Sequence, residues 1–377
     1  MKLYSIYMKY EFCTESKKGG YFNMSIYENS LSILGAAVSS GAAPCIAAAI
    51  GVKDQPPVIR IYGNASLFPD PTPANIDTRF DLASMTKIVA TSMVALRLIE
   101  LGEISLKHTI GNFFSCPDFR QSVSIQQLMT HTGGFIPYLN LQELAPSAGQ
   151  ALQIILQSAP VCNPGQQVFY SCMGYIVLGS ILEKVTGTGL DQLARQLVFD
   201  PLHMTHTDYC PKGSNFAATE KWGNGYLSGI VHDENARFLG GISGNAGVFS
   251  DLNDMICFAS MLACHGQICG RQFLQEDTLN QAVRCYTEHK DQRRGLGFHL
   301  ASPGSFHGAA VSPGCFGHTG FTGTSLIVEP DTGLYVVLLS NRVHPTRENQ
   351  RFGEIRREFH TSVLHERWQG NLENVCV

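Results

Sequence analysis

Long apolar runs are missing from this 377-residue chain. No stretch approaches the roughly 18 uninterrupted apolar residues that a spanning helix needs, so no membrane crossing is expected. Charge is sparse as well. Only 15% of the residues are Asp, Glu, Lys or Arg and the net charge is −4. Clustered Lys and Arg, which a nucleic-acid partner demands, are absent. Gly240 to Gly247 is rich in glycine, but its order is wrong for a phosphate loop and no Gly-Lys-Ser/Thr appears. It reads instead as a tight loop close to whatever site the chain holds. Internal repeats and low-complexity linkers are lacking too.

Residues Met1 to Asn23 alternate polar, aromatic and charged types and have no apolar signal core. Residues 1–25 are expected to be a poorly ordered extension, and translation from Met24 is one reading of them. The twelve cysteines are scattered, without Cys-x-x-Cys or zinc-knuckle spacing. Together with the missing signal core this predicts reduced thiols in a cytoplasmic protein. Cys264, His265 and Cys269, and the pair His203 and His206, fall in loop-like sequence without a complete ligand set, so neither metal nor cofactor is expected.

What is present is 44% apolar residues, enough for a substantial core in a chain that allows two domains of ordinary size. Ile26 to Ser40 reads as an amphipathic helix, with strands following at Cys45 to Gly51 and Val58 to Gly63. A helix is predicted over 84 to 102. Helices and loops then dominate to about Glu288, including 124–130, 148–156, 175–185, 190–197 and 252–264. A strand over Phe321 to Glu329, the turn Pro330-Asp331-Thr332-Gly333 and a strand over Leu334 to Ser340 make a hairpin. A charged amphipathic helix closes the chain at about 347–368. Strands and helices at both ends with a helical middle predict an α+β protein, whose one body (26–377) has an α/β part (26–101 and 289–377) and a helical insert (102–288).

Ser84-Met85-Thr86-Lys87 carries the first chemistry. Three residues is close to one helical turn, so Ser84 and Lys87 project from one face. A serine hydroxyl needs a base within hydrogen-bond reach to attack at neutral pH. At a helix start Ser84 also lies where free backbone N–H groups favour developing negative charge. The plain alternative is an N-capping serine followed by a solvated lysine. Tyr170-Ser171-Cys172 follows, between the turn Asn163-Pro164-Gly165 and an apolar helical run. His318-Thr319-Gly320 comes third and is expected to open the strand from Phe321.

With these three motifs in this order the chain resembles the penicillin-recognising serine hydrolases, the superfamily of class C β-lactamases, D-Ala-D-Ala peptidases and related esterases. The resemblance runs from about Ile33 to the C-terminal helix and includes Leu128 to Gly134, Pro201 to Thr207 and Gly240 to Phe249. It implies a β-lactamase/transpeptidase-like fold, an antiparallel sheet flanked by terminal helices plus an all-helical domain, with the active site between them. It further implies Ser84 as nucleophile, with Lys87 and Tyr170 sharing proton transfer. Thr319, Gly320 and Phe321 form the substrate-binding edge, and the N–H groups of Ser84 and Phe321 the oxyanion hole. A second triad, His131-Thr132-Gly133, ends in a glycine turn and reads as a structural loop, so His318 is chosen for the site. As a histidine, His318 is expected to titrate near neutrality and to help bind a carboxylate when protonated.

Cys172 departs from the pattern, since the family places there an asparagine that binds substrate. Cysteine lacks that amide's donor and acceptor pair, which points away from β-lactam or peptide recognition and toward esters or small amides. Val231 to Ala236 and Asn341 to Pro345 resemble signatures of an esterase- and peptidase-like branch, and either line the cleft rim or lock loops. The expected function is a serine hydrolase acting on a small-molecule ester, amide or peptide through a Ser84 acyl-enzyme. The alternatives are a β-lactamase or D,D-peptidase acting on muropeptides and, in another class, a non-catalytic penicillin-binding-like protein.

Overall fold

A computed structural model describes residues 27–373, with side chains to residue 367. The expected extension at 1–25 lies outside the described residues. The main sheet has seven strands, all neighbouring pairs antiparallel. They are β1 (Cys45–Val52), β2 (Val58–Ser66), β3 (Thr72–Pro73), β4 (His299–Leu300), β5 (Phe316–Thr319), β6 (Ser325–Glu329) and β7 (Leu334–Ser340). Their spatial order is β4-β5-β6-β7-β1-β2-β3, so the two ends of the chain meet at the β7–β1 pair.

Strand β1 shows how the sheet divides two cores. Side chains alternate across a strand, and Cys45, Ala47 and Ala49 enter one core while Ile46, Ala48 and Ile50 enter the other. Strand β7 splits likewise, Tyr335, Val337 and Leu339 against Leu334, Val336 and Leu338. With both faces covered, β1 and β7 read as continuous apolar runs rather than as alternation. Each fully buried aliphatic side chain contributes about 1.5–3 kcal/mol, which makes these strands the spine of the fold.

One face carries the terminal helices α1 (Glu28–Ser39) and α5 (Phe352–Glu373), which bury Leu31 and Leu34, and Phe352, Phe359 and Val363. The other face carries helix α4 (Leu252–Ala263), packed on β1, β6 and β7. Sequence alone assigned 252–264 to the helical insert, but the small residues Ala47 and Ala49 leave room for it on the sheet. Two helices beyond the sheet position the site. They are α2 (Met93–Glu100), which continues the serine segment, and α3 (Cys172–Thr186), with Ser171 as its N-cap.

The hairpin differs from expectation at its start. His318 and Thr319 end β5, residues 320–324 turn, and β6 begins only at Ser325. The Gly320 N–H donates to Thr324 O, and Gly323 sits at φ +109°, which a side chain would resist. Among the described residues no helix is long and apolar enough to cross a membrane. Cys172 carries a free thiol, whereas Cys269 is disulfide-bonded, contrary to the expectation of reduced thiols throughout.

Candidate active site

Ser84 sits in a tight single turn, Ala83–Met85, rather than at the head of a regular helix. Residue Ala83 before it is at φ +46°, a conformation that costs an L-residue about 1–2 kcal/mol. Two anchors hold that turn. Asp81 Oδ1 accepts the Ala83 N–H at 2.8 Å, an Asx-type link, and Thr324 Oγ1 donates to Leu82 O at 3.1 Å. Gly320 passes so close that a Cβ there would lie 2.4 Å from Leu82 O. The serine turn and the His318-Thr319-Gly320 edge are thus packed backbone against backbone. No acceptor for the Ser84 or Phe321 N–H is found among the described residues, which leaves both free for an oxyanion.

Beyond the turn, Lys87–Ser92 widens to a π-helical stretch, a distortion frequent at functional sites. Lys87 is fully buried in it. Its Nζ donates to Ser84 Oγ at 3.1 Å and to Asn245 O at 2.9 Å, and contacts Cys172 Sγ at 3.6 Å. Burial works to depress the Lys87 pKa, but interactions with Cys172 and Tyr170 outweigh it and the net shift is upward. Lys87 is therefore held as an ammonium, a donor to the serine rather than a resting base. The glycine loop 240–247 supplies Asn245 O and also Gly244 O, which accepts from Thr91 Oγ1 at 2.7 Å. It is the tight loop beside the site that its sequence suggested.

The ring of Tyr170 faces Lys87 Nζ at 5.0 Å and the Arg294 guanidinium at 5.4 Å, measured to the ring centre. Ser171 N–H donates to His131 Nδ1 at 3.1 Å, and the His131 ring packs tilted against that of Tyr170, 4.5 Å between centres. His131 thus supports Tyr170 from behind. His318, not His131, lines the cavity, together with Ser84, Tyr170, Thr319, Gly320 and Phe321. The cavity measures about 410 Å³. Cys172 stands beside Lys87 without being part of the lining.

His318 does not titrate as the sequence suggested. It is buried, donates from Nδ1 to Thr319 O at 2.8 Å, and its pKa is pushed well below the usual 6.5. Burial is the main cause, and the Lys87 and Arg294 cations add to it. A neutral imidazole therefore faces the cavity, and carboxylate binding by protonated His318 is withdrawn. Cationic charge comes instead from Arg294, Arg342 and Arg356, none of which the motifs had flagged as binding residues. Arg294 and Arg356 stand in segments with no motif at all.

The two loop signatures divide between both roles open to them. Asn341 locks loops through Ala65 O and Ala218 O, and Asn235 does so through Leu139 O. Arg342 and His232 instead flank Phe321, with the guanidinium 4.7 Å and the imidazole 5.6 Å from its ring centre. Phe321 itself remains 46% exposed at the mouth. Away from the cavity, Asp77, His206 and Asp251 bring ligand atoms within 4.8 Å of one another, from separated segments that no local spacing displays.

A sequence model of the family described as beta-lactamase matches residues 32–358. The chain belongs to the beta-lactamase family. Similar curated relatives include a "Putative D-alanyl-D-alanine carboxypeptidase" of Escherichia coli (strain K12), 31% identical over 322 residues and covering 75% of this chain and 73% of the relative. Its counterpart in Salmonella agona (strain SL483) is 30% identical, covering 75% and 74%. Among solved structures, EstCE1, a hydrolase with promiscuous acyltransferase activity, superposes with a TM-score of 0.73 at 20% identity, over 90% of this chain and 98% of that one. A class C beta-lactamase gives 0.74 at 15% identity over 93% and 98%. The β-lactamase/transpeptidase-like fold and the serine-hydrolase class expected from the motifs are thereby established for this member of the beta-lactamase family.

Asp81, which no motif displays, anchors the serine turn of this chain from within the core. It is fully buried, with Oδ2 accepting the His232 N–H at 2.7 Å, and its pKa is raised to about 6. Burial raises it and the two backbone N–H bonds only partly offset this, while Asp233 adds to the rise and Arg237 opposes it. A folded pKa above the unfolded one means that the group's stability contribution is full below about 3.8 and is lost as pH rises through about 6. Ionised Asp81 therefore costs roughly 3 kcal/mol at pH 8. The melting temperature of the wild type minus that of Asp81→Asn is expected to grow as pH falls from about 8 to 5. A difference that stays flat in calorimetry would show that Asp81 keeps an ordinary carboxylate pKa.

Proposed function

We propose that this protein hydrolyses an ester or amide bond of a small molecule or peptide through an acyl-enzyme on Ser84. The observation that carries this reading is the 3.1 Å contact of Ser84 Oγ with the buried Lys87 ammonium at the wall of a cavity shared with Tyr170 and the His318-to-Phe321 edge. On this reading Ser84 Oγ attacks the carbonyl carbon while the Tyr170 hydroxyl, whose ring two cations face, takes the serine proton and passes its own to the leaving group. Lys87, already donating to Ser84 Oγ, stabilises the charge that develops there. The Ser84 and Phe321 N–H groups take up the oxyanion. With the leaving group gone, water attacks the acyl-enzyme, and the same relay run in reverse returns a proton to Ser84 Oγ and releases the acid.

The cleft on this reading lies where the α/β part (26–101 and 289–377) meets the insert (102–288). Cys172, in the place of the usual amide, favours esters and small amides over β-lactams, because one donor and acceptor pair to the acyl side is missing. A panel of p-nitrophenyl esters, nitrocefin and D-amino-acid amides tests this. Ester or amide turnover that exceeds nitrocefin turnover at least about tenfold in kcat/KM is expected. Faster nitrocefin hydrolysis would instead favour a β-lactamase, and a chain that turns over none of them and is not labelled by a fluorophosphonate would be a binding protein.

A further inference from the structure

Three arginines reach the Ser84 cavity, and no carboxylate of the chain joins them in its lining. Arg294, 5% exposed, donates from Nη2 to Gln292 Oε1, and its Nε has no partner. Arg342, 9% exposed, spends Nε on Phe321 O and Nη1 on Asn349 O. Arg356 touches Thr324 O at 3.4 Å from Nη1, and its Nε is also unpartnered. Among the described residues none of the three forms an ion pair. Arg347 shows the ordinary arrangement nearby, paired with Glu220 and Glu234.

A cation withdrawn from water without an anion is costly, and Arg294 and Arg342 are buried while Arg356 is half-buried, so an anionic ligand in the cavity would answer an unmet charge. Neighbouring guanidinium groups add to the cost for two of them. Burial, and then Arg342, lowers the Arg356 pKa to about 10, and burial, then Arg347, lowers that of Arg342. Lys87 adds a fourth cation just behind Ser84. One carboxylate matches one guanidinium fork in bidentate fashion, so a monoanionic substrate leaves most of this charge unanswered.

The placement of the arginines is also informative. Arg342 and Arg356 share the wall built from Phe321, Thr324 and the start of α5. Arg294 stands on another wall, beside Tyr170. We propose that the substrate carries two separated carboxylates, one for the Arg342–Arg356 wall and one for Arg294. A phosphate monoester shares the dianionic chemistry but concentrates it at one point, which suits two walls less well. This inference rests on the hydrolase reading above and names its substrate class.

The test compares two esters of N-acetyl-D-alanine that differ only in the leaving alcohol, lactate with one carboxylate and malate with two. In the wild type kcat/KM is expected to be about 10- to 100-fold higher for the malate ester, the range of one added charge-assisted pairing. Arg294→Gln and Arg356→Gln should each shrink that ratio about tenfold. A second arm needs no variant, since tricarballylate should protect Ser84 from a fluorophosphonate at about 1 mM whereas butyrate should not. This arm also decides the matter if neither ester turns over. Protection by inorganic phosphate with none by tricarballylate overturns the two-carboxylate assignment. Equal kcat/KM for both esters with no protection by either anion overturns the inference outright. Fluorophosphonate labelling of Ser84 in the same samples then shows whether the hydrolase reading survives it.

Discussion

Ser84→Ala is expected to lower turnover by at least about 10⁴-fold, the scale seen when a covalent nucleophile is removed, while the fold stays intact. The side chain gives nothing to the turn that alanine cannot give. Among the described residues its only side-chain hydrogen bond is with Lys87, and it makes no capping bond to the backbone. The structure thereby disposes of the plain alternative, an N-capping serine whose loss would cost stability. A thermal melt and mass spectrometry after a fluorophosphonate check both halves of the expectation. An adduct on another serine, or turnover within tenfold of the wild type, would remove Ser84 from the chemistry.

Lys87→Met is expected to cost about 10³-fold in the acylation rate, and the melting temperature should hold or rise. The methionine keeps most of the buried volume, so the packing cost is small. What goes is a fully buried ammonium with no carboxylate in direct contact among the described residues. Replacing such a charge by an apolar group is often neutral or stabilising, although Asn245 O loses its donor at about 1–3 kcal/mol. The catalytic loss has a separate origin, since no cation then faces Ser84 Oγ or the Tyr170 ring. Rapid-mixing acylation kinetics beside urea melts separate the two effects. A parallel loss of stability and rate would make Lys87 a structural residue.

The parts of this protein legible in the sequence are those whose signal is local. Strands β1 and β7 show as apolar runs, helix α4 as a periodic stretch, and Ser84, Lys87 and Tyr170 as motifs at fixed spacing. The same logic failed wherever a residue's role is set by partners distant in the chain. Arg294 and Arg356 look like surface charges until the fold gathers them at one cavity. Asp81 looks like part of a strand end until its two oxygens are seen holding Ala83 and His232. The signal that existed for Asp81 was an aspartate two residues before the left-handed residue that precedes the serine, a turn link readable in principle. His318 was placed correctly in the cavity and wrongly charged, because burial and two neighbouring cations are tertiary facts. The start of β6 slipped because His318 to Phe321 reads as continuous extended sequence and only the Gly320–Gly323 turn breaks it.

The anchoring of the serine turn has a consequence for how this chain becomes active. Its ties reach forward to His232, Gly244, Asn245 and Val248, and further to Thr322 and Thr324, the last more than 240 residues along the chain. Contacts of such separation form late, because closing long loops precedes any reward from the contact. Helices of the insert can assemble from neighbours within a few turns, but the strained Ala83 conformation has only the local Asp81 link to hold it until β5 and the turn after it are in place. The Ser84 turn is therefore expected to be completed among the last features of the fold. On the proposed hydrolase reading, a nascent or partly unfolded chain would carry Ser84 without the geometry that makes it reactive, and incomplete molecules would be kept from indiscriminate hydrolysis.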